Sequence, residues 1–133
     1  MYESYGSSVG NNFKHIQLTT KYRYRMMQKD KLLTFCRVAI EEACKRHNVK
    51  IVILKVMPEH AHMIVNCPRT MADTMLMQII KGLSSYLLFR ICPNLRKRYP
   101  NGSFWHAGYF CCSVGNEFAQ VYKYIEEQDR YHS

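Results

Sequence analysis

The sequence predicts a single α+β domain, built on a ferredoxin-like antiparallel sheet with helices packed on one face. Three observations support this class. The 133 residues are enough for one hydrophobic core but not for two. Segments with the two-residue period of half-buried strands alternate with segments at helical spacing. Their order is strand, helix, strand, strand, helix, strand or strands, helix, and the short turn between adjacent strands indicates antiparallel pairing.

The amino-terminal part of the chain contains an arm, a strand and a helix. Residues 1–133 are predicted to form one domain, in which residues 1–11, rich in Ser, Gly and Asn, are a loose arm. Residues 15–20 alternate between the two sides of a half-buried strand. Apolar residues recur at helical spacing after Asp30, and Asn48 is expected to end that helix.

The middle of the chain repeats this alternation. Residues 50–57 are apolar on both sides and rich in β-branched residues, which indicates a central strand, and residues 60–67 form the next strand. A capping box at residues 70–73 is expected to begin a helix that stops before Pro93. Gly82 within that helix costs about 1 kcal/mol relative to Ala, which suggests that another backbone segment approaches it closely.

The carboxy-terminal part combines strand and helix signals. Residues 104–114, with aromatic side chains around Gly108, predict two short strands or one bent strand. Residues 110–114 carry few charges, which suits pairing across a symmetric sheet edge. Residues 115–130 predict a final helix.

Composition excludes several classes of protein. Lys and Arg number 19 against 10 Asp and Glu, a net charge of +9, and 47% of the residues are hydrophobic. This apolar fraction argues against disorder, and no apolar run is long enough to span a bilayer. The six cysteines lack a CxxC pair and are expected to be reduced core residues. We therefore expect a soluble intracellular protein that does not associate with a membrane.

The positive charge concentrates in two places, which are candidates for contacts with DNA. Residues 21–25 alternate basic residues with tyrosines, so in an extended chain the three cations would point one way and the two rings the other. A second basic cluster follows the central helix. A polyanion with stackable bases requires cations for its phosphates and rings for its bases. Solvated faces of a basic protein are the alternative interpretation. The candidate DNA-binding residues are Lys21, Arg23, Arg25, Lys81, Arg90, Arg96, Lys97 and Arg98.

Two histidines at the start of a predicted strand form a candidate metal site. In the segment Glu59-His60-Ala61-His62, the two-residue period puts both imidazoles on one face, with Cα atoms roughly 6.5 to 7 Å apart. Side chains at this spacing can converge on one ion. Two ordinary, partly exposed histidines are the alternative, because the His-x-His pattern alone is a weak signal.

The final helix carries a tyrosine and a glutamine on one flank. Its predicted buried stripe consists of Phe118, Val121, Tyr122 and Ile125. Tyr124 and Gln128 lie one turn apart beside this stripe and are expected to face outward together. The hydroxyl available for chemistry is therefore expected to be that of Tyr124 and not that of Tyr122.

Four segments of the chain, taken in order, match a known family. They are residues 15–25, His-Ile-Gln-Leu-Thr-Thr-Lys-Tyr-Arg-Tyr-Arg; residues 57–65, Met-Pro-Glu-His-Ala-His-Met-Ile-Val; residues 81–85, Lys-Gly-Leu-Ser-Ser; and residues 105–110, Trp-His-Ala-Gly-Tyr-Phe, leading to residues 124–128, Tyr-Ile-Glu-Glu-Gln. Over nearly its whole length the chain resembles the single-tyrosine HUH transposases of small prokaryotic insertion sequences, the TnpA type of the IS200-like family.

The resemblance implies a role for each matching residue. His60 and His62 would bind a divalent metal ion with Gln128 as the third ligand, and Tyr124 would be the catalytic nucleophile. Glu59 stands where the family often has Asp before the first histidine. The expected ion is Mg²⁺ or Mn²⁺, with Zn²⁺ as a further possibility.

The activity implied by the resemblance is the cleavage and rejoining of single-stranded DNA. Attack by Tyr124 would leave a 5′-phosphotyrosine and a free 3′-hydroxyl, so a second DNA end could reverse the step. The implied partners are DNA hairpins at transposon ends and a second copy of the chain, in the prokaryotic cytoplasm near the nucleoid. In the implied dimer the active sites are expected to be composite, with the helix that bears Tyr124 serving the metal site of the partner; sites built within single chains are the alternative. Two alternatives stay open: a non-catalytic module that binds single-stranded nucleic acid, and a metal-dependent phosphohydrolase. Only the transposase requires the Tyr124 hydroxyl.

Overall fold

A computed structural model describes residues 11–128 of the chain, except for the side chains of Arg23 and Gln28. The strands are β1 (Phe13–Thr19), β2 (Lys50–Val56), β3 (His60–Asn66) and β4 (Phe110–Ser113). The helices are α1 (Asp30–Arg46), α2 (Asp73–Met77), α3 (Ser84–Ile91) and α4 (Phe118–Glu126), and a π-helical turn (Gln78–Leu83) joins α2 to α3. Short 3₁₀ turns cover Lys21–Arg23, Met26–Gln28 and Pro93–Lys97. All but the last residue of the predicted arm, residues 1–11, lies outside the described range.

The strands form one antiparallel sheet in the order β2-β3-β1-β4. β1 is central, and its Gln17 lies directly opposite His62 of β3 and Phe110 of β4. The pairing of β2 with β3 shifts register between Ile51 and Ile53. This strand order is the ferredoxin-like arrangement, so the predicted fold class is confirmed.

The two faces of the sheet are covered by different helices. On the core face, α1 and the helix from α2 to α3 pack on β1, β2 and β3, and Ala61, Met63 and Val65 point to this side. On the opposite side, the α4 face, α4 packs on a smaller apolar cluster: Phe13, Ile64, Val114, Phe118 and Ile125. The prediction of helices on one face therefore holds for α1 to α3, whereas α4 lies on the other face. Periodicity identified the buried stripe of α4 but not the face that receives it.

The start of the central helix differs from the prediction. α2 begins at Asp73 with Ala72 as its N-cap, and no side chain caps it, so the capping box expected from Thr70 is wrong. Asp73 forms an ion pair with Lys14 of β1 at 2.9 Å instead. Lys14 also donates a hydrogen bond to Ser113 Oγ at 2.8 Å, so one largely buried cation joins β1, β4 and α2.

Two other helix details can be compared with the sequence. A Cβ atom on Gly82 would meet nothing within 4 Å, so the expected close backbone approach is wrong, and the residue lies in the π-helical turn. Asn48 has a φ of 59° and follows the C-cap His47, which confirms the predicted end of α1. Across residues 11–128 no helix is long and apolar enough to cross a membrane.

Residues 104–114, predicted as two short strands or one bent strand, contain one short strand, β4, and one isolated bridge. Trp105 bridges to Thr20, and β4 pairs with β1 further along. Trp105 Nε1 donates to Ser84 Oγ at 2.9 Å, and the Phe104 amide donates to Ser85 Oγ at 3.2 Å. These bonds fix the loop against α3. The predicted final helix is α4, and the part of it expected after residue 128 lies outside the described residues.

Candidate metal and tyrosine site

His60 and His62 lie at the start of β3 on the α4 face. Their ring centroids are 4.7 Å apart and the ring planes are nearly perpendicular, at 87°. Both side chains are largely covered, with 8% and 3% of their surface exposed. The segment is held by two backbone hydrogen bonds, from the Thr20 amide to the Glu59 carbonyl at 2.9 Å and from the Met57 amide to the His60 carbonyl at 2.8 Å. The two imidazoles paired by spacing thus lie side by side in a fixed segment.

A third histidine extends this pair across the sheet. The His15 ring of β1 stacks on the His62 ring at 6.1 Å and packs at a steep angle against Phe110 at 5.1 Å. Burial lowers the pKa of His15, which favours the neutral ring. Its Nε2 atom is buried and makes no hydrogen bond to any residue between 11 and 128. The sequence did not identify His15 as part of the site, because its contacts with His62 and Phe110 depend on how the strands pair. Its alternation with Gln17 does indicate that the two residues share one face of β1.

Tyr124 reaches the histidine pair from α4. Its ring centroid lies 5.8 Å from that of His62, at 86° between the planes, and both rings belong to the same chain. Its side chain is 49% exposed, so the tyrosine borders the site and stays accessible to a substrate. Tyr122, in contrast, packs against the apolar cluster of the α4 face and stacks on Phe118. The predicted orientations of the two tyrosines are therefore confirmed.

Gln128 follows Tyr124 by one helical turn but is only 1% exposed, so the expectation that both residues face outward is wrong for Gln128, and Tyr124 alone faces outward. Its Nε2 donates to the Tyr124 carbonyl at 3.5 Å, whereas its buried Oε1 has no hydrogen-bond partner in the described part of the chain. An unpaired buried amide oxygen costs free energy, and a metal ion would supply its missing partner.

The donor types available also bear on a metal site. Among residues 11–128, no three His, Cys, Asp or Glu side chains come together in a way that could hold a metal ion. His60 and His62 therefore need a third donor of another type. The Oε1 of Gln128, which has no hydrogen-bond partner among residues 11–128, is a donor of such a type, so the donor chemistry of the three residues suits the metal that the resemblance implies.

Three of the predicted DNA contacts surround one cavity of about 450 Å³. Its wall combines cations with aromatic rings: Lys81, Arg90, Arg96, Tyr86, Phe89 and Trp105. The Arg90 guanidinium lies 5.6 Å from the centre of the Tyr86 ring, and that of Arg96 lies 5.4 Å from the centre of Phe89. Lys81 donates to a backbone carbonyl at 2.9 Å, and burial lowers its pKa. The rings hold two of these cations at the cavity wall.

The basic segment of residues 21–25 folds differently from the expectation. It was predicted from an extended chain, but it starts with a 3₁₀ turn in which Tyr22 has a φ of 65°. The predicted extended conformation is therefore wrong, although the rings of Tyr22 and Tyr24 still lie 5.3 Å apart. The Lys21 ammonium lies 5.4 Å from the centre of the Tyr22 ring. The side chain of Arg23 lies outside the described part of the structure.

The remaining basic candidates bring the two sequence clusters together. Arg98 packs on the ring of Tyr24 at 4.6 Å. Arg25 and Arg98 line a second cavity of about 460 Å³. Lys97 is exposed at the end of a 3₁₀ turn and lines neither cavity. The eight candidates thus do not form a single patch around the histidines.

The sequence is similar to known transposases. It matches the family model described as Transposase IS200 like over residues 8–128. It is 30% identical over 114 residues to the transposase for insertion sequence element IS200 of Salmonella typhimurium, covering 86% of this chain and 74% of the relative. It is 24% identical over 115 residues to the ISDra2 transposase TnpA of Deinococcus radiodurans, covering 86% and 81%.

Solved structures with the same fold include two described as transposases. One, from Deinococcus radiodurans, superposes with a TM-score of 0.73 at 23% identity, covering 92% of this chain and 94% of that one. The other is a REP-associated tyrosine transposase bound to a REP hairpin, with a TM-score of 0.67 at 15% identity, covering 94% and 70%. At these identities the similarity establishes the fold.

Proposed function

This chain belongs to the family of IS200-like transposases, and we propose that it cleaves and rejoins single-stranded DNA through a covalent bond to Tyr124. The observation that carries the proposal is the contact between the Tyr124 and His62 rings, 5.8 Å apart. A half-exposed hydroxyl-bearing ring beside two buried imidazoles has the parts that nucleophilic attack on a phosphodiester requires. The net charge of +9 suits a polyanionic substrate.

In the proposed reaction, the hydroxyl oxygen of Tyr124 attacks a phosphorus of the DNA backbone. A bond forms between that oxygen and phosphorus, and the bond from phosphorus to the 3′-oxygen of the preceding nucleotide breaks. Tyr124 loses its hydroxyl proton and the departing 3′-oxygen gains one, so atoms and charges balance. Because the phosphotyrosine is itself a phosphodiester, the 3′-hydroxyl of another DNA end can reverse the step and join the strands.

His60, His62 and Gln128 are the proposed ligands of a divalent ion, Mg²⁺ or Mn²⁺. All three are neutral, so the bound ion would keep most of its charge and stabilise negative charge on the phosphate oxygens. The two imidazoles favour Mn²⁺ more than carboxylate ligands would. The burial of His62 and Gln128 restricts their side chains, which supports a preorganised site.

The proposed substrate is single-stranded DNA that folds into hairpins. The cavity lined by Lys81, Arg90 and Arg96 supports this proposal, because its cations suit phosphates and its rings suit unpaired bases. The structural neighbour with a bound REP hairpin has the same fold, which makes hairpin DNA the first substrate to test.

We also propose a homodimer, because transposition requires two DNA ends to be held together. β4 is an edge strand of the sheet and most of its residues are exposed, so its outer edge is available for pairing. The Tyr124 to His62 contact within one chain supports the alternative to the expected composite sites, an active site that needs no partner tyrosine. Mixing Tyr124→Phe subunits with subunits carrying His60→Ala and His62→Ala tests this, because activity returns only if sites are shared.

The proposed function is tested by covalent trapping. The purified chain is incubated with single-stranded oligonucleotides copied from both ends of the DNA element that encodes it, with and without Mn²⁺. A protein–DNA adduct that requires the metal and resists denaturing gel electrophoresis is expected. Tyr124→Phe should abolish the adduct and leave binding to the oligonucleotide within a few-fold, because only one hydroxyl is removed.

The matched control is Tyr122→Phe, which removes a hydroxyl two residues away and should still form the adduct. Loss of the adduct in Tyr122→Phe with retention in Tyr124→Phe would contradict the assignment of the nucleophile. Metal-dependent cleavage without an adduct would indicate a phosphohydrolase. Tight binding without cleavage would indicate a non-catalytic single-strand binding module.

A further inference from the structure

Phe110 is a large apolar side chain that remains 47% exposed close to the buried histidines. It occupies the first position of β4 and lies directly opposite Gln17 of β1, which itself lies directly opposite His62 of β3. Directly paired residues point to the same face of a sheet. Phe110 and His62 therefore share the α4 face, two strand spacings apart, which is roughly 10 Å.

His15 fills the space between these two residues. Successive ring centroids along the row Phe110, His15, His62 and Tyr124 are 5.1, 6.1 and 5.8 Å apart. The rings at the two ends of the row, Phe110 and Tyr124, are about half exposed, whereas His62 is covered. The candidate site therefore has one accessible ring with a hydroxyl and, at the other end, one accessible ring without any polar group.

The chemistry of Phe110 limits what it can recognise. Its ring has no donor or acceptor, so it can bind a ligand only through its apolar face and edge. The next residue of β4, Cys111, turns to the core face and packs there, which leaves Phe110 as the strand's aromatic contribution to the α4 face. Single-stranded DNA carries a flat base with a π-face beside every phosphate, and aromatic side chains stack on such bases without regard to sequence.

We propose that Phe110 stacks on the base of a nucleotide flanking the phosphate that Tyr124 attacks, and thereby positions that phosphate at the histidine pair. This inference rests on the proposed function, because it requires a phosphodiester between Tyr124 and the two histidines. In DNA one sugar separates a base from its adjacent phosphate. This short separation matches a phosphate at His62 on β3 and a base on Phe110 of β4, two strands away. Phe110 is thus a substrate-positioning residue rather than a catalytic one.

The test combines protein variants with DNA lacking single bases. Adduct formation is measured for the wild type and Phe110→Ala on an oligonucleotide that the wild type cleaves, and on copies with an abasic site at each position around the cut. Phe110→Ala should reduce the rate at low DNA concentration about 10- to 100-fold, as expected for one lost base stack. An abasic site next to the cut should slow the wild type similarly but slow Phe110→Ala little further.

Two other variants separate stacking from folding. Phe110→Trp keeps a large ring and should retain the rate within a few-fold. Val38→Ala removes a comparably exposed apolar side chain, 48% exposed on α1, and should change nothing. In the Tyr124→Phe background, 2-aminopurine at the sensitive position should be quenched on binding, and Phe110→Ala should relieve that quenching because the stack is lost.

Three outcomes would overturn the inference. If the losses from Phe110→Ala and from each flanking abasic site multiply, the ring and the base act independently and no stack exists. If Phe110→Ala turns a wild-type dimer into a monomer in sedimentation, Phe110 belongs to a subunit interface instead. If the wild type forms no adduct on any strand, the proposed function fails and this inference fails with it, whereas multiplicative losses in an active wild type remove only the stack.

Discussion

Both faces of the sheet bury apolar side chains, but the two buried histidines lie on the α4 face. The core face buries a large apolar cluster in which Ile16, Leu18 and Met63 are completely covered. The α4 face has a smaller apolar cluster, around Ile64 and Phe118, and among residues 11–128 it also buries three polar side chains near the candidate site. These are His60, His62 and Gln128.

This difference separates stability from chemistry within one sheet. Apolar burial on the core face stabilises the fold at about 25 cal/mol per Å². Buried polar groups such as the Gln128 Oε1, which has no hydrogen-bond partner among residues 11–128, oppose folding, because they lose their bonds to water. β3 serves both purposes, since its alternating side chains place Ala61 and Met63 on one face and the two histidines on the other. The following substitutions test how far the two faces are independent.

The largest expected effect is the loss of metal binding on the α4 face. The double variant His60→Ala with His62→Ala removes two of the three proposed ligands, so Mn²⁺ binding in a calorimetric titration should disappear. Gln128→Ala should weaken binding least, because an amide oxygen is a weaker donor than imidazole. Because both rings are buried, the unfolding midpoint without metal should also fall, so the titration is run at a temperature at which the variant is folded. Undiminished Mn²⁺ binding by the double variant would exclude this metal site.

On the core face, Leu18→Ala should destabilise the chain without touching the chemistry. The side chain is fully covered, so its truncation should lower the free energy of unfolding by about 2–5 kcal/mol. Urea denaturation followed by circular dichroism measures this, with the exposed Val38→Ala as a control expected to change it by less than about 0.5 kcal/mol. Adduct formation per folded molecule should be unchanged, and a specific loss of cleavage would mean that the faces are coupled.

A smaller effect of opposite sign is expected for Gln128→Leu. Leucine removes the buried oxygen that has no hydrogen-bond partner in the described part of the chain, so the free energy of unfolding should rise by about 1 kcal/mol. The same variant should bind Mn²⁺ less tightly than the wild type. Thermal denaturation without metal, paired with a Mn²⁺ titration, distinguishes the two effects. A fall in stability would show that the amide contributes to folding and not only to the site.

The smallest expected effect is a difference in chemical labelling between two adjacent cysteines of β4, one on each face of the sheet. Cys112 is exposed opposite His15, whereas Cys111 packs on the core face, where burial raises the pKa of its thiol to about 11. Because the thiolate is the reactive form, iodoacetamide at pH 8 should label Cys112 before Cys111. Labelling of Cys111 should accelerate about tenfold per pH unit up to pH 10. Peptide mass spectrometry resolves the two sites, and equal rates at pH 8 would contradict the burial of Cys111.

Much of the fold was predictable because it depends on local periodicity. The alternation of residues 15–20 and the β-branched run of residues 50–57 correspond to β1 and β2, and Asn48 ends α1 as expected. The failure of the capping box expected at Thr70 could not be foreseen in this way, because the carboxylate of Asp73 instead pairs with Lys14, which is distant in the chain. Local sequence cannot reveal a competitor that is distant in the chain.

In the candidate site, too, the predictable features are those that depend on the period of a single strand or helix. Spacing alone placed His60 beside His62 and separated Tyr124 from Tyr122, since both inferences need only the period of one strand or one helix. The basic residues were less predictable, because the turn at Tyr22 breaks the extended pattern on which their orientation was inferred.

The sequence by itself determined the order of the elements, the inward stripe of α4 and the identity of the histidine pair, because each is encoded within one segment. Only the tertiary structure decided that α4 crosses to the opposite face, that Tyr124 meets His62, and that His15 and Phe110 join the same row. These features depend on which strands pair and in what register. Register and helix docking are settled by packing between segments far apart in the chain, which the pattern of any one segment does not contain.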